Sequence, residues 1–416
     1  MRNKYIILRE GFDWLIIGNS EDEITLSEYN SLCKYLRDNG AQNSIMFGYN
    51  KLKFINYVGI IVVSDLTIEI LPKISLSNDI AKDREILMFM LSKCNKLSVN
   101  IEEILQTNII NQSLLDILAK VFVKKLFKEL QKGLYLEYVS QEESLNNIKG
   151  KVLVTQNAKF NAANKSRVYC KYDEFTENNV FNSILKGACN FLIPLVKNND
   201  IVKKLKIITS ILVDVDDIYI PNNTLNIYKL NKRNERFEDS YVLAKLILTN
   251  TTMNKSSGKE VGFSILFEMN YLYEEYIGVL LKEITNSCHM EVEVQERARY
   301  LLKNKVKNRN EIALKPDIVI YKNNKTEIII DTKWKSAIFD KKEHYTQSDI
   351  YQMYAYITTY EDCKKCILLY PKVSEDFKHS VWSLNSINSD KEIQICEIDL
   401  SSYHLTKSEL NTLISS

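Results

Sequence analysis

The stretch from Lys315 to Lys335, KPDIVIYKNNKTEIIIDTKWK, constrains this chain more than any other. Two runs of Ile and Val flank Asn323-Asn324, a pair that tolerates positive φ and suits a tight turn, so the segment reads as a β-hairpin. Asp317 opens one run and Asp331 closes the other. Counted from a turn centred on the two asparagines, Asp317 lies about six and a half residues before and Asp331 about seven and a half after, which sets them nearly opposite each other in an antiparallel pair. Two carboxylates so placed repel unless a cation lies between them. EIIID is an apolar strand ending in a charge, which suits a buried sheet with a site at its end and suits a solvated hairpin poorly.

Asp331 and Lys333 are two apart on one strand and share a face, while Thr332 points away and leaves its backbone carbonyl as a ligand. Two hard carboxylates, a carbonyl and waters form the donor set that Mg²⁺ prefers, with Mn²⁺ as a substitute. A lysine ammonium beside such an ion can orient an attacking water or offset charge building on a phosphate. Asp, strand, turn, strand and Asp-x-Lys therefore make a phosphodiester-hydrolysing constellation. Asp-x-Lys also recurs by chance as a surface ion pair, and it is the apolar strand in front of it that separates the two readings here.

At 416 residues the chain is too long for one ordinary core, and 45% hydrophobic with 26% charged residues is a soluble globular composition. No uncharged apolar stretch is long enough for a bilayer and the start carries no signal-peptide pattern, so a cytoplasmic protein without a membrane partner is expected. The eight cysteines are scattered, and Cys363 with Cys366 is a lone C-x-x-C, which favours reduced thiols over a zinc site. A net charge of +2 says little about partners; a chain that coats nucleic acid is usually more basic, so DNA contact has to come from local patches. One is RARYLLKNKVKNR, with Arg297, Arg299, Lys303, Lys305, Lys307 and Arg309, which reads either as a solvated loop or as a phosphate-contacting rim. No G-x-x-x-x-G-K-[ST] and no G-x-S-x-G occurs, so neither nucleotide hydrolysis nor a serine nucleophile is expected of this chain.

Along the chain the apolar period changes from two to helical and then to a mixture, giving an α/β multidomain expectation. Residues 1–98 are strand-rich, with LSEYNSLCKYLRD as a helical interruption; 99–235 are mainly helical; 236–416 hold the hairpin in an α/β domain with a mixed central sheet. Gly133 stops one long helix, and a second starts near Thr176, with Glu177 and Asn178 in its early turn. LTNTTMNKSSGKEVG, residues 248–262, is the most linker-like stretch.

KPDIVIYKNNKTEIIIDTKWK resembles the PD-(D/E)XK nuclease signature, and YQMYAY supplies the Q-x-x-x-Y that several branches of that superfamily carry on the following helix. In order, GLYLEYVSQEESLNNIKGKV, YDEFTENNVFNSIL, FEMNYLYEEYI and DIYQMYAYI with CILLYP resemble McrC, the nuclease subunit of McrBC modification-dependent restriction systems, and YVGIIVVSDLTIEILPKI resembles the N-terminal part of its longer members. The resemblance covers most of the chain from about residue 57. It implies a restriction-endonuclease-like domain, metal binding by Asp317 and Asp331, and catalytic assistance by Lys333. Gln352 and Tyr356, on one face of their helix, would position the lysine or the DNA backbone. Glu274 matches a helix acid that some members add to the metal site, with Glu275 as the alternative. The implied partners are double-stranded DNA and a separate McrB-like AAA+ GTPase in a hetero-oligomer, docked by residues 1–98 and the middle region, with Lys149 and Lys151 as candidate contacts. The alternatives are a nuclease of repair or CRISPR-type processing that needs no GTPase, and a subunit that mainly activates a motor.

Overall fold

The computed structural model describes residues 4–72, 74, 79–96, 112–253, 261–286, 290–335, 338–339, 342–343, 345–373, 380–384 and 390–415. The expected boundary at 98/99 and residues 254–260 of the linker-like stretch lie outside them. The chain divides into two compact units, one made of residues 1–112 and 253–416 and the other of 113–252.

The two largest sheets among the described residues lie in the first unit. In one, Lys4–Arg9 runs parallel to Leu66–Leu71, which pairs with Tyr57–Val63, and Val261–Glu268 returns after some two hundred residues to pair antiparallel with Tyr57–Val63. Gly59, at φ +136°, sits where the carbonyl of Ile265 approaches so closely that any side chain would collide with it. Helix Leu26–Asp38 covers this sheet, opened by a capping box in which Thr25 and Glu28 satisfy each other's backbone amides. Its Leu32 and Leu36 pack with Leu52, Phe54, Ile61 and Ile68. Helix Ile80–Lys93 docks through a buried bidentate pair: Arg84 Nε and Nη2 donate to Glu69 Oε1 and Oε2 at 2.6 and 3.1 Å.

The second sheet has six strands in the order Met290–Val294, Ile318–Lys322, Lys325–Thr332, Lys365–Pro371, Glu392–Ile398, Ser380–Ser383. The first three and the last junction are antiparallel, while Lys325–Thr332, Lys365–Pro371 and Glu392–Ile398 run parallel, so the sheet is mixed. The three parallel or adjoining central strands are Ile- and Leu-rich and buried on both faces, as parallel strands require. One face packs helix Gln347–Thr359 through Met353, Tyr356 and Ile357 against Val319, Ile329 and Leu368, each worth about 1.5–3 kcal/mol of burial. Cys363 and Cys366 belong to this core, with sulfurs 3.9 Å apart.

In the second unit, helices Leu114–Leu130, Val180–Leu192, Asn199–Ile211 and Glu238–Thr249 accompany a long ladder of Glu137–Leu145 with Val168–Thr176. Phe181 is the centre of an aromatic cluster with Tyr135, Tyr228, Phe237 and Tyr241. The helix expected to start near Thr176 begins at Val180. The strand runs through Thr176, and the polar residues that follow build the turn: Asn178 Nδ2 donates to Asp216, Asn179 caps the helix, and Asn182 holds the carbonyls of Tyr135 and Glu177. No described helix is long and apolar enough to cross a membrane.

Candidate active site

The turn at the hairpin tip has Asn323 and Asn324 at φ 52° and 61°, the two left-handed residues of a type I′ turn. The register shifts between Ile320 and Tyr321, so Glu327 forms a bulge in Lys325–Thr332. That one extra residue absorbs the unequal spacing of the aspartates from the turn. Ile318 then pairs with Ile330, and Asp317 and Asp331 come next on their strands. Asp317 Oδ2 accepts the amide of Thr332 at 2.7 Å and its hydroxyl at 2.9 Å. The threonine side chain thus faces Asp317 and orients it, a role its carbonyl alone does not reveal.

Asp331 is 1% exposed, and its Oδ2 lies 2.5 Å from Lys333 Nζ. Gln352 sits above both: its Nε2 donates to Asp331 Oδ1 at 3.2 Å and to the Tyr356 hydroxyl at 2.7 Å, while its Oε1 accepts Lys333 Nζ at 3.4 Å. Tyr356 passes the chain on to the carbonyl of Lys315, two residues before Asp317. The helix carrying both is held at its start by a capping box of Thr346 and Asp349, and Asp349 also pairs with Lys335 at 2.8 Å. Asp331, Lys333, Gln352 and Tyr356 therefore form one hydrogen-bonded network, and the Asp317–Thr332 pair forms a second beside it.

Glu274 approaches from helix Met269–Thr285. It is buried, and its Oε1 meets no hydrogen-bond donor among the described residues. Its neighbour Glu275 instead turns to Lys96 at 2.8 Å. Burial, then the charge of Asp317, with a smaller push from Asp331, raise the Glu274 carboxyl to about 7. Burial, then Asp317, raise Asp331 to about 7 against the pull of Lys333. Asp317 is raised by burial despite its two bonds from Thr332. Burial opposes the Lys333 charge, but Asp331, Asp317 and Asp349 outweigh it and hold the ammonium above the ordinary lysine range.

Asp317 and Asp331 thus share the Lys333 ammonium with Glu274 beside them, and Glu274 Oε1 has no hydrogen-bond donor among the described residues. Hard oxygen donors with an excess of negative charge suit a hard divalent cation such as Mg²⁺. Among the described residues no three carboxylate, imidazole or thiolate groups are drawn together on one point. Lys333 supplies the positive charge beside Asp331 as the side chains stand.

Three further residues belong to this neighbourhood and carry no motif. Gln295, at φ 55°, donates its amide to the carbonyl of Asp317 at 2.8 Å, and its side chain bonds Glu274. Trp334 packs against Tyr273, the residue before Glu274, with ring centres 5.4 Å apart and planes tilted by 60°, and its Nε1 donates to the buried Glu10 at 2.5 Å. A tryptophan directly after Asp-x-Lys is the one signal that sequence offers for this clamp. Lys149 and Lys151 lie in the other unit: Lys149 Nζ is 3.7 Å from the Tyr172 ring centre and 3.5 Å from Glu174, and Lys151 pairs with Lys171 in a short strand.

Residues 52–371 match the family model described as McrBC 5-methylcytosine restriction system component. The chain belongs to the McrBC family. It is 22% identical over 320 residues to the Escherichia coli K12 type IV methyl-directed restriction enzyme EcoKMcrBC, covering 72% of this chain and 88% of the relative. Its fold matches a chain of the refined half-complex of Thermococcus gammatolerans McrB AAA+ hexamers with bound McrC, at a TM-score of 0.71 and 17% identity, over 98% of this chain and 100% of that one. A chain of the Thermococcus gammatolerans McrBC complex matches at a TM-score of 0.52 and 19% identity, over 71% and 90% of the two chains. The family match spans the site from Glu274 to Tyr356, and the mixed α/β fold is shared with the matched chain of that half-complex.

Proposed function

We propose that this McrBC-family chain is the Mg²⁺-dependent DNA endonuclease subunit of a McrBC-like restriction system. It cuts duplex DNA together with a separate McrB-like AAA+ GTPase that it binds and stimulates. The observation that carries the reading is the meeting of Asp317, Asp331 and Lys333 at the end of the hairpin strands, with the buried Glu274 carboxyl within reach of the charge of both aspartates.

Asp317, Asp331, Glu274 and the Thr332 carbonyl would hold the ion. A bound Mg²⁺ supplies a Lewis acid that offsets charge on the phosphate and acidifies a water. The chain's own groups do the positioning. Thr332 fixes one oxygen of Asp317, and Gln352 fixes one oxygen of Asp331, so both carboxylates are oriented before any ligand arrives. Lys333 stays protonated and presents N–H donors to a non-bridging phosphate oxygen, with Gln352 Oε1 limiting its swing. Tyr356 ties that glutamine to the strand of Asp317.

The McrB hexamers in the matched assembly favour a two-component system over a repair or CRISPR-type nuclease acting alone. Docking would fall to residues 1–98 and to the middle region, with Lys149 and Lys151 as contacts. Metal removal tests the chemistry. A chelator should stop cleavage of 5-methylcytosine DNA by the reconstituted pair, and Mg²⁺ or Mn²⁺ should restore it. Undiminished cutting in chelator would overturn the reading.

A further inference from the structure

The basic patch that composition singled out is an exposed hairpin, Tyr300–Asn304 paired with Arg309–Ala313. Between residues 297 and 313 lie six basic side chains and one acidic, Glu311, in a chain whose total charge is only +2. Glu311 engages Arg309 at 2.9 Å and Lys307 at 3.8 Å, whereas Lys303 and Lys305 make no ion pair among the described residues. The same hairpin exposes aliphatic side chains that cover no core: Leu302 is 55% exposed, Ile312 60%, and Val306 at the tip 96%. Asn304 Oδ1 accepts the amides of Val306 and Lys307, so the tip is ordered by its own sequence.

Its root is the candidate active site. One arm follows Gln295, which bonds Asp317 and Glu274; the other leads through Leu314, whose amide donates to the carbonyl of Arg299, to Lys315 and Asp317. Arg299 lies 5.4 Å from the Tyr360 ring centre, on the end of the helix that holds Gln352. A strand of five residues at about 3.4 Å each reaches about 17 Å, half a turn of duplex.

We propose that this hairpin is a duplex-DNA contact, a two-stranded ribbon in the major groove flanking the scissile phosphate. The inference rests on the nuclease reading above. A polyanion with one phosphate at Asp317 and Asp331 extends beside the hairpin root, and the major groove is wide enough to admit a two-stranded β-ribbon. Lys303 and Lys305 neutralise phosphates, and Val306 offers apolar contact to base edges in the groove.

The test compares wild type with K303A/K305A and K303R/K305R in the reconstituted complex with its AAA+ partner. Binding of a fluorescent 5-methylcytosine duplex is followed in chelator across a salt series. K303A/K305A should bind about tenfold or more weakly near physiological salt, with the slope of log affinity against log salt shallower by about two. K303R/K305R should retain wild-type binding, and thermal stability and GTPase stimulation should be unchanged in both. Wild-type affinity and slope in K303A/K305A, within a complex that still cuts, would overturn the hairpin assignment alone. Loss of GTPase stimulation with DNA affinity intact would overturn it in favour of a partner-docking hairpin. A wild-type complex that binds no duplex would overturn it together with the nuclease reading.

Discussion

At the residue scale the site is a matter of crowded charge. Glu274 has its carboxyl raised to about 7 by burial and then by Asp317, well above the value it has in an unfolded chain. A group whose folded pKa is raised in this way binds more protons folded than unfolded, so its ionisation costs stability above about pH 7, and the cost fades as pH falls towards 4.5. Glu274→Gln should therefore raise the melting temperature of the metal-free protein at pH 8, by an equivalent of up to about 3 kcal/mol. The gain should shrink by pH 5, and saturating Mg²⁺ should stabilise wild type more than the variant. Equal melting temperatures at pH 8 without metal would show that Glu274 is not crowded by the two aspartates. The aspartates and Lys333 were legible because spacing on a strand fixes the face. Gln295 and Glu10 were not, since each reaches the site from another strand with no local pattern to mark it.

At the element scale, local signals set the parts and distant pairing sets the frame. The Asn-Asn turn, the Thr25 and Thr346 capping boxes and the helix Leu26–Asp38 follow from neighbouring residues. The start at Val180 was misplaced by four residues because TENN is used for a turn and a cap, which periodicity cannot separate from a first helical turn. The return of Val261–Glu268 to Tyr57–Val63 is invisible locally, since any Ile- and Val-rich strand has the same pattern. Helix Ile80–Lys93 is fixed by the buried Arg84–Glu69 pair, which the Tyr5 hydroxyl also joins. Arg84→Ala leaves a buried carboxylate unpaired and should destabilise its unit by about 3–5 kcal/mol in urea unfolding. Glu69→Met with Arg84→Met should cost less than that single change; an equal or larger loss would mean that the ion pair itself, and not the stranded carboxylate, carries the cost.

At the scale of the whole molecule, the proposal makes the chain a nuclease that depends on a second protein. The chain belongs to the McrBC family over residues 52–371, and its sequence carries the Asp317, Asp331 and Lys333 set but no G-x-x-x-x-G-K-[ST]. The division of labour gives a sharp experiment. Asp331→Ala and Lys333→Ala, each reconstituted with the AAA+ partner, are assayed for GTP hydrolysis and for cleavage of 5-methylcytosine DNA in Mg²⁺. The account predicts that both variants stimulate the GTPase as wild type does while cleavage falls by about a thousandfold or more, a loss of about 4 kcal/mol of transition-state stabilisation. Cleavage that survives in the Asp331→Ala complex would contradict it.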